Sequence, residues 1–139
     1  MFNYPVTLEQ DPETQQFMVA FVDIPAVYSV GDSPDDALLN AADALETAFF
    51  YLMQERKPIP AASPLHGLQG VALPVVVAGK VALHNAMLAT GTRKADLARK
   101  LNIAPTLVDR LLSLKHKSRI EQIETALALL DKRLLVDVD

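Results

Sequence analysis

The sequence predicts an α+β protein with two small domains, an N-terminal domain of order β-β-β-α-β and an all-α domain that ends in a short strand. Three observations support this prediction. Apolar residues recur with period two near the start, they recur every three or four positions after residue 78, and a stretch rich in proline and glycine separates the two patterns. The 139 residues are 50% apolar, which suffices for a buried core, and the lack of cysteine excludes a disulfide scaffold, a zinc-thiolate site and a thiol nucleophile.

Three strands are predicted first. Residues 2–9 alternate apolar and polar side chains, as a half-buried strand does, and Pro5 favours an edge or one-sided pairing because it cannot donate a backbone hydrogen bond. A turn is expected at residues 11–14. Residues 17–24 are apolar on both faces, which indicates a central strand, and residues 27–30 predict a short third strand.

A helix and a fourth strand complete the predicted first domain. Ser33 is a typical N-cap residue, Pro34 suits the first helical position, and apolar residues then recur at helical spacing to about Gln54. Residues 55–70 hold five prolines and glycines and predict a linker loop. The valine-rich residues 71–78 predict a strand, so the domains are assigned to residues 1–77 and 78–139.

Helical periodicity dominates the second domain. One helix is predicted from Gly79 to Gly91, two short helices follow in the segment that begins at Thr92, and a last helix spans about residues 118–132. The two short helices flank Asn102, which tolerates a left-handed turn, and the small Ala98 permits a close crossing, as in a helix-turn-helix. Residues 134–138 predict a strand that pairs with its copy in a second subunit, because a lone strand leaves its backbone groups unsatisfied.

Charge is segregated along the chain, although the net charge is only −4. Residues 1–55 contain ten acids and no Lys or Arg, whereas residues 56–139 contain 13 bases and seven acids. This asymmetry favours a nucleic acid as the partner of the basic half and a basic or cationic partner for the acidic half. The simpler alternative is that the charges only solvate the protein.

Candidate DNA contacts lie in and around the predicted helix-turn-helix. Its second helix would present polar side chains to base edges in a major groove, while the surrounding basic residues would contact phosphates. The alternative is an ordinary helical hairpin with a charged surface. The predicted DNA-binding residues are Arg93, Lys94, Thr106, Asp109, Arg110, Ser113, Lys115 and Lys117.

Catalysis has little support in the sequence. A metal-dependent nuclease would need three or four converging carboxylates, yet Asp11 and Glu13 lie in a predicted turn and Asp43 on a solvated helix face. The three histidines lack metal-ligand spacing, and no nucleophile elbow or phosphate-binding glycine loop is present. A ligand-sensing repressor is a third alternative, which a deep apolar pocket in the first domain would favour. We predict no enzymatic activity, no metal and no cofactor.

Several segments, in order, resemble the HicB antitoxin family. They are YPVTLEQ at residues 4–10, FVDIP at 21–25, VGDSPDDAL at 30–38, ALETAF at 44–49, I-P-x-x-S-P at 59–64, and the terminal helix-turn-helix. The resemblance covers essentially the whole chain. It implies that the first domain is a degraded, catalytically empty RNase H-like fold that covers a HicA toxin, a small basic RNase that cleaves mRNA. It also implies that the second domain binds the operator of the toxin-antitoxin operon.

The resemblance and the charge pattern together predict an antitoxin and transcriptional autorepressor. The basic domain would dimerise on a palindromic operator, with tetramers as a further assembly. No apolar run approaches the ~18 residues of a membrane helix, so we expect a cytoplasmic protein without membrane contact. Ala104 departs from the usual Ser or Thr cap of a recognition helix, at a cost of ~1 kcal/mol. The predicted toxin-binding residues are Glu9, Asp11, Asp23, Asp35, Asp43 and Glu46.

Overall fold

The computed structural model describes residues 2–138, which form a four-stranded antiparallel sheet and five α-helices. This confirms the predicted α+β class. The strands are β1 (Asn3–Gln10), β2 (Phe17–Phe21), β3 (Tyr28–Gly31) and β4 (Gln69–Ala72). The helices are α1 (Pro34–Gln54), α2 (Val75–Thr90), α3 (Lys94–Leu101), α4 (Pro105–Leu112) and α5 (Ile120–Ala128). The chain divides into unit 1, with Met1–Tyr51 and Pro60–Leu73, and unit 2, with Leu52–Ile59 and Pro74–Asp139.

The sheet of unit 1 has the strand order β3-β2-β1-β4, and each neighbouring pair is antiparallel. The first strand is therefore an inner strand. Pro5 is accommodated because β1 pairs with β4 through Asn3–Val6 and with β2 only from Val6 onward. The Pro5 carbonyl accepts a hydrogen bond from the Val22 amide at 3.1 Å. One-sided pairing at this position was one of the two arrangements expected.

Helix α1 covers one face of this sheet. Its buried residues are spaced as predicted and are Ala37, Ala41, Leu45 and Phe49. The Phe49 ring meets the fully buried Tyr4 ring of β1 edge to face, with centroids 5.4 Å apart. Ser29 of β3 donates a hydrogen bond to the Ala37 carbonyl at 2.7 Å. The predicted N-cap is confirmed, since the Asp36 amide donates to Ser33 Oγ at 3.1 Å.

A fourth strand follows the linker as predicted, but its predicted range, residues 71–78, is correct only at Val71 and Ala72. Strand β4 ends at Ala72, and α2 begins at Val75, directly after Pro74. Pro74 has an extended backbone, with φ −56° and ψ 150°, and its carbonyl accepts the first helical bond from the Ala78 amide. Burial of α2 in the core of unit 2 outweighs the weak helix propensity of the valines. As a result, the units divide at Leu73 and Pro74 rather than at residues 77 and 78.

Helix α2 is the central element of unit 2 and packs against α5 and α4. It also holds the segment Leu52–Ile59, because the Asn85 side chain bonds both the amide (2.9 Å) and the carbonyl (3.0 Å) of Ile59. His84 is buried and donates through Nε2 to the Lys57 carbonyl at 2.7 Å. Sequence reasoning had placed residues 55–70 in a single linker, whereas the two ends of that segment belong to different units.

The helix ends of unit 2 follow the sequence closely. Gly91 ends α2 in a left-handed conformation with φ 67°, and Asn102 ends α3 in the same way with φ 56°. Both ends were predicted. Ala104 precedes α4 and supplies no side-chain cap, as expected. The core around these helices consists mainly of Leu83, Leu97, Ala98, Val108, Leu111, Ile123 and Leu127.

One prediction for the end of the chain needs correction. Helix α5 spans Ile120–Ala128 and is shorter than the predicted residues 118–132, and Asp131 beyond it has a left-handed φ of 58°. Residues 134–138 have no regular secondary structure within the single chain, so their predicted pairing with a second subunit stays a prediction. A strand needs a neighbouring strand for its backbone groups, and unit 2 is otherwise helical.

Gly31 gives a test of the packing between sheet and helix. A methyl group at this position would overlap the backbone nitrogen of Ala37, which cannot move without shifting α1. We expect Gly31→Ala to lower the free energy of unfolding by about 1–3 kcal/mol, measured by urea denaturation. The neighbouring Val30→Ala, at an exposed side chain, is the control and should change it by about 0.5 kcal/mol or less. Equal stability of Gly31→Ala and the wild-type protein would contradict this packing.

Candidate functional site

The six acids predicted to bind a toxin lie on different elements of unit 1. Glu9 lies on β1, and Asp11 lies in the following turn, where its Oδ1 accepts the Glu13 amide at 2.8 Å. Asp35, Asp43 and Glu46 lie on α1, outside its buried stripe. Burial raises the pKa of Glu46, and the neighbouring Asp43 raises it further. The acids on α1 and the acid on β1 therefore belong to different parts of unit 1.

Asp23 is engaged within unit 1. Its Oδ2 accepts the Ser63 amide at 2.8 Å, and its Oδ1 accepts the Ser63 hydroxyl. The nearby Tyr4 hydroxyl donates to the Pro60 carbonyl at 2.7 Å, and burial, assisted by the charge of Asp23, raises the Tyr4 pKa to about 12. These bonds attach the proline-rich segment to the sheet. Asp23 thus has a structural role that its sequence context did not reveal.

The outer face of the sheet, opposite α1, carries exposed apolar side chains. On β2 and β3, the buried residues Val19, Phe21 and Ser29 alternate with outward residues. Met18 pairs directly with Val30, and Ala20 pairs with Tyr28, so these side chains share one face. We call the outer face formed by Met18, Val22, Tyr28 and Val30 the apolar sheet face; each of these residues is between 44% and 64% exposed.

Acidic residues of unit 1 lie beside the apolar sheet face. Glu9 pairs with Met18 in the β1–β2 register and therefore stands beside the apolar side chains on the same face. Asp32 directly follows β3, and its carboxylate accepts a hydrogen bond from the Gln16 side chain at 3.5 Å. The segments assigned to unit 1 contain nine Asp and Glu and no Lys or Arg. Among the predicted toxin contacts, Glu9 is the one that lies on this face.

The predicted DNA-binding residues cluster on α3, α4 and the segment that follows. Thr106, Asp109 and Arg110 of α4 are exposed, and Ser113 at its end is half-buried. Lys94, in the first turn of α3, forms an ion pair with Asp109, with Nζ and Oδ1 2.8 Å apart. The remaining predicted contacts, Arg93, Lys115 and Lys117, are exposed. The structure thus brings the two helices together at Lys94 and Asp109, a pair that sequence reasoning assigned to separate contacts.

Lys80 is a residue that sequence reasoning missed. Its side chain is only 1% exposed, and its Nζ donates to three backbone carbonyls at the end of α4 and beyond: Arg110 (2.9 Å), Ser113 (2.6 Å) and His116 (2.6 Å). Burial lowers the Lys80 pKa. The available signal was a single lysine within VVVAGKVAL, a helical stretch that is otherwise apolar.

The described residues offer no obvious metal centre. Within residues 2–138, no three His, Asp or Glu side chains come close enough to hold a metal ion, which was the feature required by the nuclease alternative. A cavity of about 220 Å³ lies in unit 2, between α4 and α5, and is lined in part by Leu107, Arg110 and Gln122. The ligand-sensing alternative required a deep apolar pocket in the first domain, whereas this cavity lies in unit 2. None of the described helices is long and apolar enough to cross a membrane.

Known antitoxins are similar to this chain over nearly its whole length. A family model described as a HicB-like antitoxin of bacterial toxin-antitoxin systems matches residues 3–82. Antitoxin HicB 2 of Photorhabdus laumondii is 43% identical over 94% of this chain and 92% of its own length. Antitoxin HicB of Escherichia coli K12 is 37% identical over 94% of this chain and 95% of its own length. Antitoxin HicB of Pseudomonas fluorescens is 36% identical over 100% of this chain and 95% of its own length. The chain therefore belongs to the HicB-like antitoxin family.

Proposed function

We propose that the protein neutralises a HicA-type toxin, a small basic RNase that cleaves mRNA, and that it represses its own operon as a DNA-binding homodimer. The observation that carries the proposal is the apolar sheet face beside acidic charge in unit 1. An mRNA-cleaving enzyme and an operator are both found in the cytoplasm, where we place the protein. The proposal assigns no catalytic step to this chain.

The apolar sheet face has the chemistry of a binding surface for a basic protein. Contiguous exposed apolar side chains mark interaction sites, and Met and Tyr are enriched at such interfaces. Glu9 and Asp32 would meet basic groups that the toxin uses for RNA, which increases the association rate and suppresses wrong partners. We infer that the β-β-β-α-β unit is a degraded RNase H-like domain, used for binding. The acids on α1 would then contribute to long-range attraction rather than to contact.

The pair α3 and α4 is proposed as a helix-turn-helix. Three features support this: the left-handed turn at Asn102, the buried small residue Ala98, and the exposed polar side of α4 that carries Thr106 and Arg110. The segments of unit 2 carry 13 bases and eight acids, which gives the positive charge that phosphate contacts require. A homodimer would present two α4 helices to a palindromic operator.

A positive charge on the apolar sheet face should weaken toxin binding. We expect Tyr28→Arg to weaken the toxin complex by about 2–4 kcal/mol, because it places a cation at the centre of the contact with a basic partner. The matched control is Leu39→Arg on α1, which is 67% exposed and lies outside the helix stripe buried on the sheet. Calorimetric titration of each folded variant with the toxin of the same operon decides the matter. Loss of binding in Leu39→Arg alone would assign the contact to α1 instead.

The affinity for operator DNA should change in different ways when Arg110 or Lys94, two cations of unit 2, is replaced by alanine. Arg110→Ala should cost about 1–3 kcal/mol and relax specificity at one base pair, if its guanidinium reads guanine. Lys94→Ala should weaken binding to all sequences and reduce the salt slope by about one. Asp109→Asn is the matched control: it removes the partner of Lys94 and should strengthen binding to any duplex. Gel shifts use the region upstream of the gene and an unrelated duplex; unchanged affinity in both alanine variants contradicts the assignment of α4.

The tail should hold the dimer together. Leu135, Val136 and Val138 are exposed within the single chain, whereas Leu134 packs against the core of unit 2. We propose that the exposed residues pair with their copies as a strand, so deleting residues 135–139 while sparing Leu134 should yield a monomer. Sedimentation velocity measures this directly, and circular dichroism confirms retained helix content. A truncated protein that remains dimeric would refute the proposed pairing.

A further inference from the structure

Lys80 is buried in unit 2, yet all of its hydrogen-bonding capacity is used. An ammonium group has three N–H donors, and those of Lys80 meet the carbonyls of Arg110, Ser113 and His116. Burying a charge is costly unless it is fully hydrogen-bonded. The neighbouring positions Gly79 and Val81 of α2 are also buried. An apolar side chain at position 80 would fill the same space without the cost of burying a charge. The ammonium group therefore contributes more than volume.

The three carbonyls belong to the end of α4 and to the segment after it. The last carbonyls of a helix have no partner within the helix, and they form the negative end of its dipole. Many helices solve this with a left-handed residue, as α2 does at Gly91 and α3 at Asn102. Helix α4 instead ends at Ser113 with an extended backbone, φ −78° and ψ 121°. The Arg110 carbonyl also accepts the Ser113 amide and the Ser118 hydroxyl, both at 3.3 Å, and the Ser113 carbonyl accepts the His116 amide at 3.2 Å. Lys80 adds a charged donor from α2 that joins these carbonyls at the shorter distances of 2.6–2.9 Å.

Lys80 thereby connects the last turn of α4 to the backbone of residues 113–116. Arg110 lies in that last turn, and Lys115 and Lys117 lie in the following segment with exposed side chains. These three residues are among the proposed DNA contacts. We propose that Lys80 is a positioning residue for this DNA-contacting surface: its three carbonyl bonds set the end of α4 and the path of residues 113–117. This inference rests on the proposed DNA-binding function.

The first test replaces the ammonium group by an apolar chain of similar length. We expect Lys80→Met to increase amide hydrogen exchange in residues 113–118 at least tenfold and to weaken binding of a mixed-sequence 20-base-pair duplex at low salt at least tenfold. Toxin binding through the apolar sheet face should stay within twofold. Lys132→Met removes the same charge from an exposed site and is the control, with exchange in residues 113–118 unchanged. Wild-type exchange and DNA affinity in Lys80→Met would overturn the proposal.

The second test restores the charge chemically and remains decisive if Lys80→Met does not fold. Since the chain has no cysteine, Lys80→Cys creates a single thiol, which is alkylated in denaturant and refolded in the full-length protein. Alkylation with 2-bromoethylamine forms a thioether, with loss of bromide, and restores an ammonium group at nearly the lysine length. Iodoacetamide gives a neutral amide as the control.

The aminoethylated protein should recover slow exchange in residues 113–118 and DNA affinity within threefold of wild type, while the amide-bearing protein should not. Equal recovery by both adducts would show that Lys80 only fills space. If the wild-type protein binds no duplex at all, the DNA part of the inference is overturned together with the proposed function. The exchange measurements still decide, in that case, whether Lys80 fixes the segment.

Discussion

The packing of α1 against one face of the four-stranded sheet determines the character of unit 1. A single helix covers one face of a sheet, and the opposite face must then be solvated or bound by a partner. Tyr4, Val19 and Phe21 are buried on the covered face, with Phe49 against the Tyr4 ring. On the other face, Met18, Tyr28 and Val30 are left exposed. The proposed toxin surface is thus a direct consequence of how the core is formed.

Charge gives that surface its selectivity. Because the segments of unit 1 contain no Lys or Arg, its acids have no basic side chain of the same unit to neutralise them. Their negative charge attracts cationic proteins and repels nucleic acid, while the apolar side chains provide the short-range contact. Unit 2 has the opposite sign and is suited to phosphates. Under the proposed function, this separation of charge would assign the basic protein to unit 1 and the acidic polymer to unit 2.

In unit 1 the main constraint is the packing of α1 on the sheet; in unit 2 it is the way in which each helix ends. Gly91 and Asn102 end α2 and α3 locally, through left-handed backbone conformations. Helix α4 lacks such a residue, and its Arg110 carbonyl accepts local bonds from Ser113 and Ser118 together with one from Lys80, which lies 30 residues earlier in the chain. The segment that carries Lys115 and Lys117 is consequently held by a tertiary contact. Local bonds, such as the one from the His116 amide to the Ser113 carbonyl, and the tertiary bonds of Lys80 act together on this segment.

The sequence by itself determined the order of most elements, the caps at Ser33 and Asn102, and the charge separation, because each depends on local propensity or simple periodicity. The similarity to antitoxins was also visible in its motifs. Only the tertiary structure decided that Val75–Val77 are helical, since burial of the rest of α2, from Gly79 onward, outweighs the strand preference of these exposed or half-buried valines. It likewise decided which acids share a face, how Asp23 and Lys94 are paired, and what Lys80 binds. These properties depend on residues distant in the chain, and no pattern within a short window records which of them will meet.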